Sequence, residues 1–279
     1  VETKDDDFFD VDYLKNGNSR IAVLCHGLEG SSQSHYIQAT SKILHNDGYD
    51  IAAMNYRGCS GELNRQAYSY HSGSTGDLHL LIESLVSSYN EIVLVGFSLG
   101  GNLVLKYSCD ENYPLDARIK GVVAISVPVD LYAASIKFLK FSNKLYTLNF
   151  LKTLLAKIKL KHQQFPDLIT LEDISKIKSI LDFDNYITAP LNGFIDAKDY
   201  YSKCNSKQFL QNCKRPTLII NALDDPFLAE SCFPLDVASK SEYLNLLMPR
   251  YGGHLGFVNN GLDYYWNEFQ TLEFLKRQE

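Results

Sequence analysis

The stretch EIVLVGFSLGGNLVLKYSC, residues 91–109, decides how the rest of the chain is read. Ile92 to Val95 is an unbroken apolar run, and from Asn102 onward apolar residues recur at helical spacing. Between the two halves, Gly96-Phe97-Ser98-Leu99-Gly100 fits the pattern G-x-S-x-G, and Gly101 follows. A strand that turns abruptly into a helix through this pentapeptide holds its serine in a tight bend with the hydroxyl exposed. The flanking glycines leave room for the bend and for close helix packing. Ser98 is therefore the candidate nucleophile, against the alternative of a retained fold with a silent serine. A serine hydroxyl is weak alone, so it needs an imidazole to take its proton and a carboxylate to orient that imidazole.

Upstream, RIAVLCHGLEG (20–30) reads as a short strand entering a glycine loop, and YDIAAMNYRGCSG (49–61) repeats the form. Tyr36, Ile37, Thr40, Ile43 and Leu44 have helical spacing between them, which completes a strand, helix, strand unit. GDLHLLIESLVSSY (76–89) supplies a further helix and IKGVVAISV (119–127) a further strand. These strands show little polar alternation, the mark of burial on both sheet faces, so the fold expected is α/β with a mostly parallel central sheet and helices on both faces.

The rhythm breaks after Pro128. Residues 131 to about 200 carry helical spacing with no core strand before RPTLIINAL (215–223), too long a stretch for an ordinary connection. We read it as a helical cap inserted into a core made of residues 1–130 and 201–279. Its first half contains Lys137, Lys140, Lys144, Lys152, Lys157, Lys159 and Lys161, with no acidic residue from 131 to 161. Mixed with Ile, Leu and Phe, such a segment either makes peripheral contact with an anionic membrane or packs on the body with a solvated lysine face. YLNLLMPRYGG (243–253) gives a last strand and turn, and GLDYYWNEFQTLEFLKRQ (261–278) a closing helix.

A fold with this serine turn orders its triad Ser, acid, His along the chain. His254, in YGGHLGF after the last strand, is the better base than His162 in the lysine-rich insertion, because the glycines around it form a loop that carries an imidazole back to the strand ends. The acid should follow a late strand, and TLIINALDDPFL (217–228) offers Asp224 and Asp225. Asp225 is favoured because Pro226 and Phe227 follow it, leaving Asp224 solvated or capping its own turn. Two fixed N–H groups should face the oxygen that becomes negative during acyl transfer. The backbone N–H of Leu99 is one, and Leu28, after Gly27 in the earlier strand's loop, offers the other; His26 reads as a structural loop histidine.

The ordered blocks HGLEGSSQSHY (26–36), NYRGCSGELN (55–64), YHSGSTGDL (70–78), GFSLGGN (96–102), NALDDPF (221–227) and GGHLGF (252–257) resemble the alpha/beta-hydrolase superfamily. More narrowly they resemble its YheT-type esterase family, whose eukaryotic relatives include phospholipid and acylglycerol hydrolases. The resemblance runs through most of the chain. It implies Ser98 as nucleophile, Asp225 as acid, His254 as base and Leu28 and Leu99 as oxyanion contacts, and it says little of residues 131–200. The function expected is serine carboxylester hydrolysis through an acyl-enzyme on a small-molecule ester or lipid. The rivals are an amidase or peptidase with the same triad, and a non-catalytic interaction module.

Other classes are disfavoured. The 27 Lys and Arg against 33 Asp and Glu give a net charge of −6, which argues against a general nucleic-acid binder. The loop at 27–30 lacks G-x-G-x-x-G, so no dinucleotide cofactor is expected. His71 and Asp77 lack a third ligand at metal spacing and read as a loop brace and a helix-start residue, while Arg57 reads as a loop arginine paired with an acid. No metal and no cofactor are expected. Six cysteines without CxxC spacing point to reduced thiols. VETKDDDFFD has no export signal, which makes the cytoplasm the expected compartment and leaves a trimmed upstream anchor open. Oligomeric state is not readable from the chain.

Overall fold

The computed structural model describes residues 1–259 and 264–278. Seven strands, β1 (Asp10–Leu14), β2 (Arg20–Cys25), β3 (Tyr49–Asn55), β4 (Glu91–Phe97), β5 (Ile119–Ile125), β6 (Thr217–Ile220) and β7 (Leu244–Leu247), form one sheet in the order β1-β3-β2-β4-β5-β6-β7. Every neighbouring pair is parallel except β1 with β3. The sequence pattern did not announce β1: DVDYL carries two aspartates and faces solvent along most of its length, as an edge strand does.

The continuous apolar runs follow from a sheet buried on both faces. Ile21, Val23 and Cys25 join Leu94, Val122 and Ala124 in one core, while Ala22 and Leu24 join Val93, Val95, Val123 and Ile125 in the other. The strand's period of two puts alternate residues in opposite layers, and each buried Val, Leu or Ile contributes about 1.5–3 kcal/mol. α1 (His35–Asn46) covers the second layer through Ile37 and Leu44. α2 (Thr75–Leu85) and α3 (Leu99–Cys109) cover the first through Leu78, Leu81, Leu103 and Val104.

Between β5 and β6 the chain is helical: α4 (Leu131–Phe138), α5 (Lys144–Gln164), α6 (Leu171–Lys176), α7 (Ile180–Phe183), α8 (Ala189–Leu191) and α9 (Ala197–Cys204). The last of these helices, α9, ends at Cys204, whose carbonyl, like that of Ser72, accepts from the Asn102 side chain of α3. Leu151, Leu154 and Ile158 of α5 pack on Ile174, Ile177, Ile180 and Ile187 in a separate small core. α10 (Leu235–Ala238) precedes β7, and α11 (Trp266–Lys276) returns to the α1 layer through Phe274 and Leu275. Residues 261–263 of the expected closing helix lie outside the described residues.

The chain passes from β2 outward to β3, then crosses back so that β4 lies on the other side of β2. In parallel sheets this reversal opens a crevice at the carboxyl ends of the two strands, where ligands bind. The loop after β2 and the turn after β4 both lie there. The six cysteines are buried and free, with the sulfurs of Cys109 and Cys213 2.7 Å apart, longer than a disulfide of ~2.05 Å.

Candidate active site

Ser98 is the single residue between β4 and α3, and its backbone is left-handed (φ 52°, ψ −115°). A non-glycine residue there costs on the order of 1–3 kcal/mol and persists only when its surroundings impose it. Here the Ser98 N–H donates to the Ile125 carbonyl at 2.8 Å, and its carbonyl accepts from the Asn102 N–H at 3.1 Å. Packing closes the frame: a Cβ on Gly100 would stand 2.3 Å from the Cys25 carbonyl oxygen and 2.5 Å from that of His26. Only glycine lets α3 approach the end of β2 this closely.

His254 sits in the loop after β7, with its Nε2 3.0 Å from Ser98 Oγ and its Nδ1 2.8 Å from Asp225 Oδ2. An ionised carboxylate only accepts, so Nδ1 carries the proton and Nε2 is left to accept from the serine hydroxyl. The Asp225 side chain is wholly buried, and its Oδ1 accepts from the Phe227 N–H at 2.9 Å. The Phe227 ring meets the imidazole edge-on at 4.6 Å between centroids. The structure thus joins Asp225, not Asp224, to the histidine. Of the two places the sequence left for it, solvent or the cap of its own turn, Asp224 takes the first: it is exposed. Its Oδ1 accepts from the N–H groups of Gly252 and Gly253, 2.9 and 2.8 Å away, and so holds the loop that carries His254. The reach of a neighbouring loop, absent from a linear pattern, makes the difference.

Leu28 and Leu99 line the same cavity as Ser98 and His254. Among the described residues neither backbone N–H has a hydrogen-bond partner, and Leu99, as the first residue of α3, has none within its helix. The Leu28 loop is held from beneath. The Gly27 N–H donates to the Tyr36 hydroxyl at 3.0 Å, and His26 donates from Nδ1 to the Gly27 carbonyl at 2.7 Å while its Nε2 accepts from the Tyr56 N–H. Burial pushes the His26 pKa down to about 4, so this bracing ring stays neutral at physiological pH. His26 is structural, as its place in the loop indicated.

Sequence reasoning missed a second layer. Glu29, next to Leu28, is a non-glycine residue at φ 56° with a covered side chain; its N–H donates to the Tyr70 hydroxyl and its Oε1 accepts from that hydroxyl at 2.9 Å. Lys157 of α5 reaches the same oxygen at 3.0 Å. Burial pulls the Lys157 ammonium down, but its contacts with Cys59 and Glu29 outweigh it and raise its pKa. Because burial pushes the Cys59 thiol up to about 11, that thiol is neutral near pH 7 and Glu29 is the effective partner. Only the lysine-rich stretch hinted at this link, and its spacing did not say which lysines turn inward.

The helices between β5 and β6 give the cavity an apolar wall of Ala134, Phe138, Phe150, Leu154, Ile158, Ile180, Phe183 and Ile187, while Arg57, Ser135, Lys161, Thr188 and Asn192 add polar groups to its lining. Asp184, at a single π turn between α7 and α8, also lines it and accepts from Tyr201 and Thr188 at 2.6 and 2.7 Å. Burial raises its pKa to about 6.

Other candidates fall elsewhere. His162, near the end of α5, bonds the Ile169 carbonyl at 2.6 Å and does not join Ser98. His71 lines the cavity, with its Nδ1 accepting from the Gly73 N–H within its own turn. Arg57 pairs with Asp77 and with Asp5 and Asp7 of the acidic first segment, which outweighs its burial and raises its pKa. Among the described residues no three His, Cys, Asp or Glu side chains are grouped as metal ligands.

A parallel sheet with this serine turn, and a histidine and aspartate delivered by the loops after its last strands, defines a hydrolase of the α/β class. The family described as alpha/beta hydrolase fold matches residues 23–241, and the chain belongs to it. The Escherichia coli (strain K12) protein named "Putative esterase YheT" is 33% identical over 270 residues, which cover 94% of this chain and 78% of that one. "Phospholipase ABHD3" of Mus musculus is 29% identical over 272 residues, covering 92% of this chain and 65% of that protein. The chain is thus of the YheT type, with eukaryotic lipid-hydrolase relatives. The solved Pyrococcus furiosus esterase Pf2001 shares the fold with a TM-score of 0.65 at 16% identity, over 99% of this chain and 87% of that one.

Proposed function

We propose that this protein is a serine carboxylester hydrolase acting on acyl or lipid esters, with Ser98 as nucleophile, His254 as general base and acid, and Asp225 as its orienting carboxylate. The observation that carries this reading is the unbroken hydrogen-bonded chain from Ser98 Oγ through the imidazole to the buried Asp225. His254 Nε2 takes the serine proton as Oγ bonds to the ester carbonyl carbon. The carbonyl oxygen gains the negative charge and lies toward the N–H groups of Leu28 and Leu99, which gain most from it in the transition state. Collapse of that intermediate breaks the bond to the alcohol oxygen, which receives the proton from His254. Water then repeats the sequence on the acyl-serine and releases the acid.

Residues 131–200 act as the cap that selects the acyl chain. The apolar wall that α4, α5 and α7 give the cavity supports an acyl or lipid chain, and so does likeness to a relative named as a phospholipase. The test is the pre-steady-state burst with a short-chain chromogenic ester. A burst lost in Ser98→Ala, with turnover down by roughly 10⁴-fold or more, is expected. Absence of a Ser98-dependent burst would sink the assignment. Specificity constants equal from short to long acyl chains, measured below micelle formation, would remove the lipid preference alone.

A further inference from the structure

The corner where α4 turns into α5 is both apolar and exposed. Phe141 is 88% and Leu145 80% exposed, and Leu139 and Leu148 are about half exposed. Along α5, Leu145, Leu148, Lys152 and Lys159 follow at helical spacing on one side, so the apolar end passes into a basic stripe. The opposite side, Leu151, Leu154 and Ile158, is buried.

The lysines divide in the same way. Lys157 and Lys161 turn inward, the first to Glu29 and the second to the carbonyls of Asn64 and Gln66. Lys140, Lys144, Lys152 and Lys159 are exposed and Lys137 half-buried, and among the described residues none of the five has an acidic partner. No acidic residue interrupts residues 131–161, although the chain as a whole carries a net charge of −6.

We propose that this corner docks the protein on an anionic membrane surface, with Phe141 and Leu145 entering the acyl boundary while Lys140 and Lys144 meet lipid phosphates. Apolar side chains ringed by lysine are the composition that binds such an interface. A second copy of this chain fits worse, because a two-fold contact through the same face brings lysines of one sign together. The corner also lies over the site. Phe138 at the end of α4 stacks on Phe227 at 4.4 Å, and Phe227 contacts His254. A lipid leaving the bilayer here meets α4 next to Phe138, which lines the cavity; this delivery step rests on the esterase reading, and the docking does not.

Docking is measured by co-sedimentation of the full chain, in the Ser98→Ala background so that no lipid is consumed, with phosphatidylcholine vesicles lacking or containing phosphatidylserine. Phosphatidylserine should raise partitioning by about tenfold or more, and added salt should lower it. Phe141→Asp/Leu145→Asp and Lys140→Glu/Lys144→Glu should each lower it by about tenfold, with an unchanged melting temperature reporting an intact fold. Equal binding to both vesicles, or variants that bind as well as their parent, would overturn the proposal. So would a lipid-free dimer that Phe141→Asp/Leu145→Asp dissociates, which would assign the face to a second copy. With Ser98 restored, hydrolysis of a soluble ester without vesicle binding would defeat docking alone; vesicle binding without hydrolysis would defeat the esterase reading alone.

Discussion

Asp224 and Asp225 are adjacent in the chain and have unlike surroundings. Asp225 is enclosed beneath the imidazole, whereas Asp224 is exposed and holds two backbone N–H groups of the neighbouring loop. Asp225→Asn places an amide where a carboxylate fixes the tautomer and offsets the charge of the imidazolium. The expected loss in kcat is roughly 10³–10⁴-fold with little change in stability. Asp224→Ala removes a support that water partly replaces, so about a three- to tenfold loss is expected, from ~1 kcal/mol of loop order. Steady-state kinetics and melting of the two variants check the contrast; equal losses would refute the division of roles. The serine was legible at this scale because its constraint is local: strand, turn and helix are contiguous. The acid was half legible, since two aspartates share one loop and only the approach of residues 252–254 separates them.

Among the elements, α5 and the loop after β2 are joined by Lys157 and Glu29. Lys157→Met leaves the buried Glu29 carboxylate without its cation, at a cost discounted because Lys157 is one-third exposed: about 1–2 kcal/mol of stability. Since Leu28 adjoins Glu29, its N–H should shift from the proposed oxyanion position and kcat should fall about tenfold. Lys157→Arg should restore most of both losses, and Lys157→Met/Glu29→Gln should be more stable than Lys157→Met alone. Chemical denaturation with single-turnover kinetics decides this; a stability loss with unchanged acylation would make the pair merely structural. The central strands and the helices flanking them were readable from periodicity, but β1 was not. An edge strand with Asp10 and Asp12 buries too little to leave a pattern, and its pairing with β3 joins residues far apart in the chain, from Asp10 with Asn55 to Leu14 with Ile51.

For the molecule as a whole, Asp184 couples the cavity to pH. Its folded pKa of about 6 lies above its ordinary 3.8, so the folded state favours the protonated acid. Its contribution is fully present below about pH 4 and is lost as pH rises through 6, a difference of ~3 kcal/mol. The advantage of wild type over Asp184→Asn in unfolding free energy should therefore shrink by about that amount between pH 4 and 7. Parallel stability curves for the two proteins would refute it. Apolar strand periodicity, the serine turn and the order of Ser98, Asp225 and His254 made the α/β class and the grouping of the candidate site readable from sequence, because each rests on local geometry or chain order. Only tertiary structure joined Asp225 rather than Asp224 to the imidazole, turned Lys157 and Lys161 inward while leaving Lys140 and Lys144 outside, and paired the Asp184 carboxyl with Tyr201 and Thr188. Those outcomes depend on which distant groups meet in space and which are shut off from water, and a linear pattern records neither.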